Sequence, residues 1–443
     1  MSQTIDDWRN YPQNLHFSSL DVDACRIDNR ISTCSKDLFV DRDASVIASF
    51  KLGISSQDGS RNVEMVRSDP AEVLTGILAQ RQETPILFLE QSFTWSRLQI
   101  CEEHFRKLFS CLKVHPDFLD IVHLFCQKIR PLEEGFNGFF VNKYRYNRSI
   151  PASLDSEMEH QSYNLGYNVK YVARHGRDCP RDPYSIREIG VYQQFCSKSR
   201  TSAWIFLQAP AKLQARLQCA FGEDNKTTPE HQIRLHGTVL LSVSEDWRDY
   251  LSYLEEDFSR LVDRGFYTNL KGPQFSGDVE ADYSDIRKLQ ILTDKLRRLQ
   301  HIVKLNIRLG KEMRDSIKSL QNAELQEAAH VDSQIGRFVY DQQTNFDRID
   351  CLLQRSGGIT QLIQNLLEIR ATESGKRTNL EMQKLTEQGI EENRLVKRLT
   401  EKASKDTKSM MTIALISAIF LPATFLAGFF GQGDEESLIK EEI

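Results

Sequence analysis

No two cysteines in this chain are spaced as C-x-x-C. The nine present, Cys25, Cys34, Cys101, Cys111, Cys126, Cys179, Cys196, Cys219 and Cys351, are odd in number and scattered. That excludes a disulfide framework and a zinc-ribbon site, and fits reduced thiols facing the cytosol. Equally missing are G-x-S-x-G, H-E-x-x-H, a P-loop and a kinase motif set, so the chain is not expected to be an enzyme and no cofactor is implied. A net charge of −5 gives no overall case for nucleic acid as a partner. The first ten residues, MSQTIDDWRN, are polar with no apolar run behind them, so a cleaved signal peptide is not expected.

What the chain does have is Met411 to Phe430, MTIALISAIFLPATFLAGFF, twenty residues without a charge. A helix of that length rises about 30 Å, the thickness of a bilayer's hydrocarbon core. Its ten Leu, Ile and Phe residues contribute about −3 to −6 kcal/mol to insertion in sum. Lys397, Arg398, Lys402, Lys405 and Lys408 precede it against Glu401 and Asp406, while Asp434, Glu435 and Glu436 follow. The positive-inside rule then sets the N-terminal side in the cytosol, as a single-pass, tail-anchored protein. On that topology the sequons at Asn147 and Asn225 are chance matches.

The remainder reads in segments. Residues 1–60 are polar and expected to be irregular; 61–280 alternate short apolar runs with helical patterns, an α/β cytosolic domain. PILFLEQ (Pro85 to Gln91), SAWIFLQAP (Ser202 to Pro210) and QIRLHGTVLLSVS read as strands, and Arg97 to Lys113 as a helix. A further helix is expected to start at a capping Ser244. Residues 281–409 form long stalk helices, with Leu289, Leu292, Leu296, Leu299, Val303, Met313, Ile317 and Leu320 on a heptad seam that Asn306 and Gly310 interrupt. A break is expected near Gly357-Gly358. The transmembrane helix is 410–431 and a short acidic tail 432–443.

Nine basic residues against two acidic ones between Arg287 and Arg314 read as a solvated face. Asp182 and Glu188, near Asp178, read as acids of a turn-rich segment, and His115 and His123 as packing histidines. Within the span, Ala414, Ser417, Leu421, Thr424, Gly428 and Gly431 fall within about 100° of one another. Small and hydroxylated residues let membrane helices pack closely. Several copies around an axis would equally line a narrow pore with hydroxyls, constricted at Leu421. Both readings stand on the residues alone. Pro422 frees the carbonyl four residues earlier.

The text SMMTIALISAIFLPATFLAGFFG resembles the first membrane helix of the CorA divalent-cation transporters, especially their fungal CorA-like branch. Tyr184 to Phe195 (YSIREIGVYQQF), SAWIFLQAP and Glu245 to Glu256 (EDWRDYLSYLEE) resemble the cytosolic domain of the same branch. The resemblance implies a funnel-like α/β domain, long stalk helices, and a homo-oligomeric, pentameric pore in the bilayer, with Mg²⁺ as the transported or a regulatory ion. That family closes its first span with Gly-Met-Asn; here Gly431 matches, but Gln432 stands for the methionine and Gly433 for the asparagine. It also has a second span, so the chain is expected to be truncated after the first. The alternative expectation is a non-conducting, tail-anchored scaffold or regulatory subunit.

Overall fold

The computed structural model describes residues 7–15, 23–54, 61–79, 84–145, 161–177, 182–196, 199, 201–223, 229–272, 275–320 and 326–431. Gln432, Gly433, the acidic tail, Asp178 and the sequons at Asn147 and Asn225 lie outside them. The chain divides into two compact units, one of residues 1–267 with 281–362, the other of 268–280 with 363–443.

The first unit is built on a seven-stranded sheet of order β2-β1-β3-β7-β6-β5-β4. Its strands are β1 (Ile47–Ile54), β2 (Arg61–Ser68), β3 (Ile86–Leu89), β4 (Phe139–Arg145), β5 (Gln161–Arg174), β6 (Tyr184–Cys196) and β7 (Thr201–Leu207). All neighbours are antiparallel except β3 and β7. Alternation along each strand sends side chains to two cores. Phe88, Tyr167, Val191, Trp204 and Phe206 pack on one face, and Leu87, Leu89, Tyr192, Ile205 and Leu207 on the other. α1 (Ala24–Leu38), α2 (Pro70–Ala79), α3 (Glu102–Leu112) and α4 (Phe118–Val122) contribute to the second core. On the first face lie α5 (Ala211–Glu223), α6 (Pro229–Ser244), α8 (Tyr283–Leu320) and the start of α9 (Gln326–Gly431). α7 (Trp247–Tyr267) completes the helices, through an apolar stripe of Tyr250, Leu251, Leu254, Phe258 and Leu261.

Several elements depart from expectation for identifiable reasons. QIRLHGTVLLSVS is not a strand but most of α6. Ile233, Leu235, His236, Val239, Leu240 and Val243 are all buried, because the sheet covers one side and Gln334 of α9 comes within 3.1 Å of where a side chain on Gly237 would begin. A helix covered on two sides shows no single apolar stripe. Ser244 ends α6 rather than capping the next helix, and its hydroxyl donates to the Leu240 carbonyl at 3.0 Å. In 97–113 only Glu102–Leu112 is helical; Leu98 is a buried loop residue bridging Phe39 and Gln91.

Residues 1–60 are not all irregular, since they carry α1 and β1. Asp23 caps α1 by accepting from the Arg26 N–H at 3.0 Å. The nearly buried Arg106 guanidinium fixes it, donating to Asp28 (2.8 Å), to Ser32 (3.2 Å) and to the Tyr11 carbonyl (2.6 Å). Nor does the chain break at Gly357-Gly358, which lie inside α9. Two mid-helix glycines cost about 1 kcal/mol each. Buried Ile359 and Ile363 beside them, and Ser356 within 3.2 Å of Thr293 on α8, hold that turn in place.

The heptad seam of α8 packs as its spacing requires. Gly310 sits where a Cβ would come within 2.6 Å of Val339 and 3.0 Å of Phe338 on α9, so its lack of a side chain sets the close approach. Asn306 is satisfied by the Lys170 carbonyl at 2.8 Å.

Candidate functional site

The acids and histidines of the first unit form no metal centre; among the described residues no cluster of three ligand-type side chains occurs. Asp182 accepts from Tyr250 at 2.8 Å and Lys295 at 2.6 Å, and burial together with this carboxylate pushes the Tyr250 phenol up. Glu188 meets Lys170 at 3.0 Å and Asn168 at 2.5 Å. Lys170 and Glu188 border a cleft of about 50 Å³ that Gln91, Trp95 and Arg298 also line. His115 and His123 are both buried, and burial holds the His123 imidazole down at about 4.

A further polar chain runs through the interior. Tyr167 is 3.1 Å from His236 Nδ1, and His236 Nε2 is 2.7 Å from Gln193 Oε1. Gln193 donates to Gln232 Oε1, which also accepts from Ser202 and from Trp204 Nε1, both at 2.7 Å. With Tyr167 donating, His236 is neutral and carries its proton on Nε2. Burial lowers its pKa to about 3. This chain of bonds holds α6 on the sheet.

The second unit offers different chemistry. One candidate span is present among the described residues, in α9, with mean hydropathy 2.1 over its most apolar window and none of that window buried. From Ala371 to Phe429 the helix is exposed at every described residue except Gly389. Large apolar side chains such as Ile413 (62%), Phe425 (72%) and Phe429 (73%) are therefore left largely exposed by the described residues. Ala414, Ser417, Leu421, Thr424 and Gly428 all lie on this helix, spaced by three and four residues, and Gly431 is its last residue. Thr424 donates its hydroxyl proton to the Phe420 carbonyl at 2.9 Å. Pro422 sits within the helix without ending it.

Because α9 is continuous, the same register can be followed back out of the apolar segment. It passes Met410, Thr407, Ala403, Thr400, Val396 and Asn393. Further back it meets Gly389, Thr386, Met382, Asn379, Gly375 and Thr372. No charged residue falls on this row, although charges crowd the positions between, including Glu391, Glu392, Arg394, Lys397 and Arg398. Each row threonine donates to the carbonyl four residues earlier: Thr372 at 2.9 Å, and Thr386, Thr400 and Thr407 at 2.7 Å each. With the proton committed to the backbone, the outward side of each hydroxyl oxygen is an acceptor only. A strict seven-residue repeat drifts about 20° per heptad on a straight helix, so the row faces one axis only if copies supercoil left-handedly. Sequence reading missed this extension because it searched for apolar periodicity, whereas the signal is a periodic absence of charge.

The sequence profile described as CorA-like transporters matches residues 3–265. The chain belongs to the CorA-like transporters. No curated protein sequence matches it. Among solved structures, this CorA-like chain is similar to the soluble domain of CorA from Methanocaldococcus jannaschii, at 11% identity and a TM-score of 0.35, covering 75% of this chain and 99% of that one. It is likewise similar to the complete CorA magnesium transporter of the same organism, at 12% identity and 0.35, covering 77% and 81%. The ZntB cytoplasmic domain from Vibrio parahaemolyticus gives 12% identity and 0.38, covering 75% and 99%. A transporter family and a helix long and apolar enough to cross a bilayer together make this a membrane protein, not an enzyme.

Proposed function

We propose that this CorA-like chain carries divalent cations, Mg²⁺ foremost, across a bilayer as a homo-oligomer whose axis is lined by the uncharged row of α9. The observation that carries the reading is the row itself: acceptor-only hydroxyls in register from Thr372 to Thr424. An acceptor lining suits a cation that keeps its water shell, since shell waters donate hydrogen bonds outward. Leu421 is the apolar constriction, and Ser417 and Thr424 flank it one turn away on either side. Basic residues from Lys397 to Lys408, ahead of the span, support a cytosolic N-terminal side. Five copies, as the family resemblance implies, would give the narrow axis this lining requires. The domain limits that accompany this reading are 61–280 for the cytosolic α/β part, 281–409 for the stalk and 410–431 for the span.

The test is Mg²⁺ uptake into proteoliposomes holding the purified chain and a trapped Mg²⁺ indicator. Flux is expected, and Leu421→Ser should raise it several-fold by hydrating the constriction, whereas Leu415→Ser, off the row, should not. No flux from a chain that assembles and inserts would favour the non-conducting scaffold or regulatory subunit.

A further inference from the structure

Two rows of charge on the first unit have no use in the reading above. α7 carries Asp249, Glu256 and Asp263, all exposed, on the side opposite its buried Leu251, Leu254 and Phe258. α8 carries Arg297, Lys304 and Lys311, also exposed, opposite its buried Leu299, Asn306 and Met313. Each row advances by seven residues, two helical turns, so successive charges stand about 10.5 Å apart in both.

Most other cations of α8 are engaged. Lys288 reaches Asp285 (3.1 Å), Lys295 reaches Asp182 (2.6 Å), Arg308 reaches Glu312 (2.7 Å), and Arg314 reaches Asp332 (2.5 Å). Arg298 is bound to Glu134. By contrast Arg297, Lys304 and Lys311 form no ion pair with another described residue, and neither do Asp249 and Asp263; Glu256 meets Arg260, which also lies near Asp257. Five of the nine cations between Arg287 and Arg314 are thus ion-paired rather than simply solvated, which leaves this row and the exposed Arg287 over.

We infer that the two rows meet between copies, Arg297, Lys304 and Lys311 of one protomer facing Asp249, Glu256 and Asp263 of the next. Both rows point away from the core of their own chain, so neither can satisfy the other within one protomer. Equal spacing and opposite sign let a rotated copy match all three positions at once. Because two different patches meet, the contact is heterologous, the type that closes a ring rather than a two-fold dimer. An anionic membrane would need only the basic row and would leave the matched acidic row without a role. Exposed pairs of this kind are individually weak and screened by salt, so they set the register and rate of assembly more than its final tightness. The inference rests on the homo-oligomer reading above.

The experiment uses the full chain in mild detergent, with oligomer mass read by light scattering or native mass spectrometry at low and at high salt. Reversing the basic row (R297E, K304E, K311E) or the acidic row (D249K, E256K, D263K) should shift the dissociation midpoint by about tenfold or more at low salt. Combining both reversals should restore it to within about threefold, which a merely misfolded protein would not do. A wild-type chain that runs as a monomer overturns the homo-oligomer reading and this contact together. Stable oligomers with either row reversed overturn the contact alone. So does a basic-row defect that the acidic reversal fails to repair.

Discussion

The neutral histidines of the first unit make it sensitive to mild acid, by an amount that can be worked out. His236 is fully buried among Tyr167, Gln193 and Trp204, and its pKa is held at about 3. An unfolded histidine titrates near 6.5. A group whose folded pKa is depressed contributes stability above its unfolded value and loses it as pH falls toward the folded one. At pH 5 the unfolded state is therefore favoured by about 1.4 kcal/mol for each of about 1.5 pH units, or about 2 kcal/mol. His123, held at about 4 by burial, adds a similar amount. These two histidines together should cost the unit about 4 kcal/mol between pH 7.5 and pH 5. Asp332 does not contribute in that window, because Arg314 holds its pKa at about 2 and its share is lost only below about pH 4. The assay is urea unfolding of the full chain in detergent, followed by tryptophan fluorescence; Trp204 lies 4.7 Å from the His236 ring and reports on it directly. His236→Gln should remove about half of the acid sensitivity, whatever its own stability at neutral pH. A stability curve flat to within about 1 kcal/mol, or an unchanged acid loss in that variant, would refute the reasoning.

Other expectations follow from single contacts. Arg106→Met leaves Asp28 and Glu102 without their shared cation, and should cost about 3 kcal/mol while hydrogen exchange rises across Ala24–Leu38. Gly310→Val places atoms against Val339 and Phe338 and should cost about 1–3 kcal/mol in thermal unfolding, more than the same change at Gly358, where nothing lies within 4 Å. Thr400→Val, which keeps the shape of the row but removes one acceptor oxygen, should lower Mg²⁺ flux without changing oligomer mass. Unchanged flux would remove that hydroxyl from the path.

The parts legible in the sequence are those whose environment is uniform along the element. β3 and β7 are buried on both faces, so they read as short apolar runs closed by prolines. The α8 seam repeats its buried residues at steps of three and four, so its heptads stand out. α6 was illegible because two different layers cover it, and α1 because only Ile27, Ile31 and Leu38 are buried while Arg106, far along the chain, supplies its anchor. For the candidate site, the apolar span and its small-residue face were plain. The uncharged row upstream was not, because it shows itself as a periodic absence of charge and not as a periodic run of apolar residues.

The continuity of that row constrains how the chain can change over generations. Inserting one residue between Thr372 and Met410 would rotate everything downstream by about 100° and swing charged neighbours such as Lys402 or Asp406 toward the proposed axis. Inserting seven would restore the phase to within about 20°. Lineages carrying this helix should therefore differ in length by whole heptads, while the loops of the first unit vary one residue at a time.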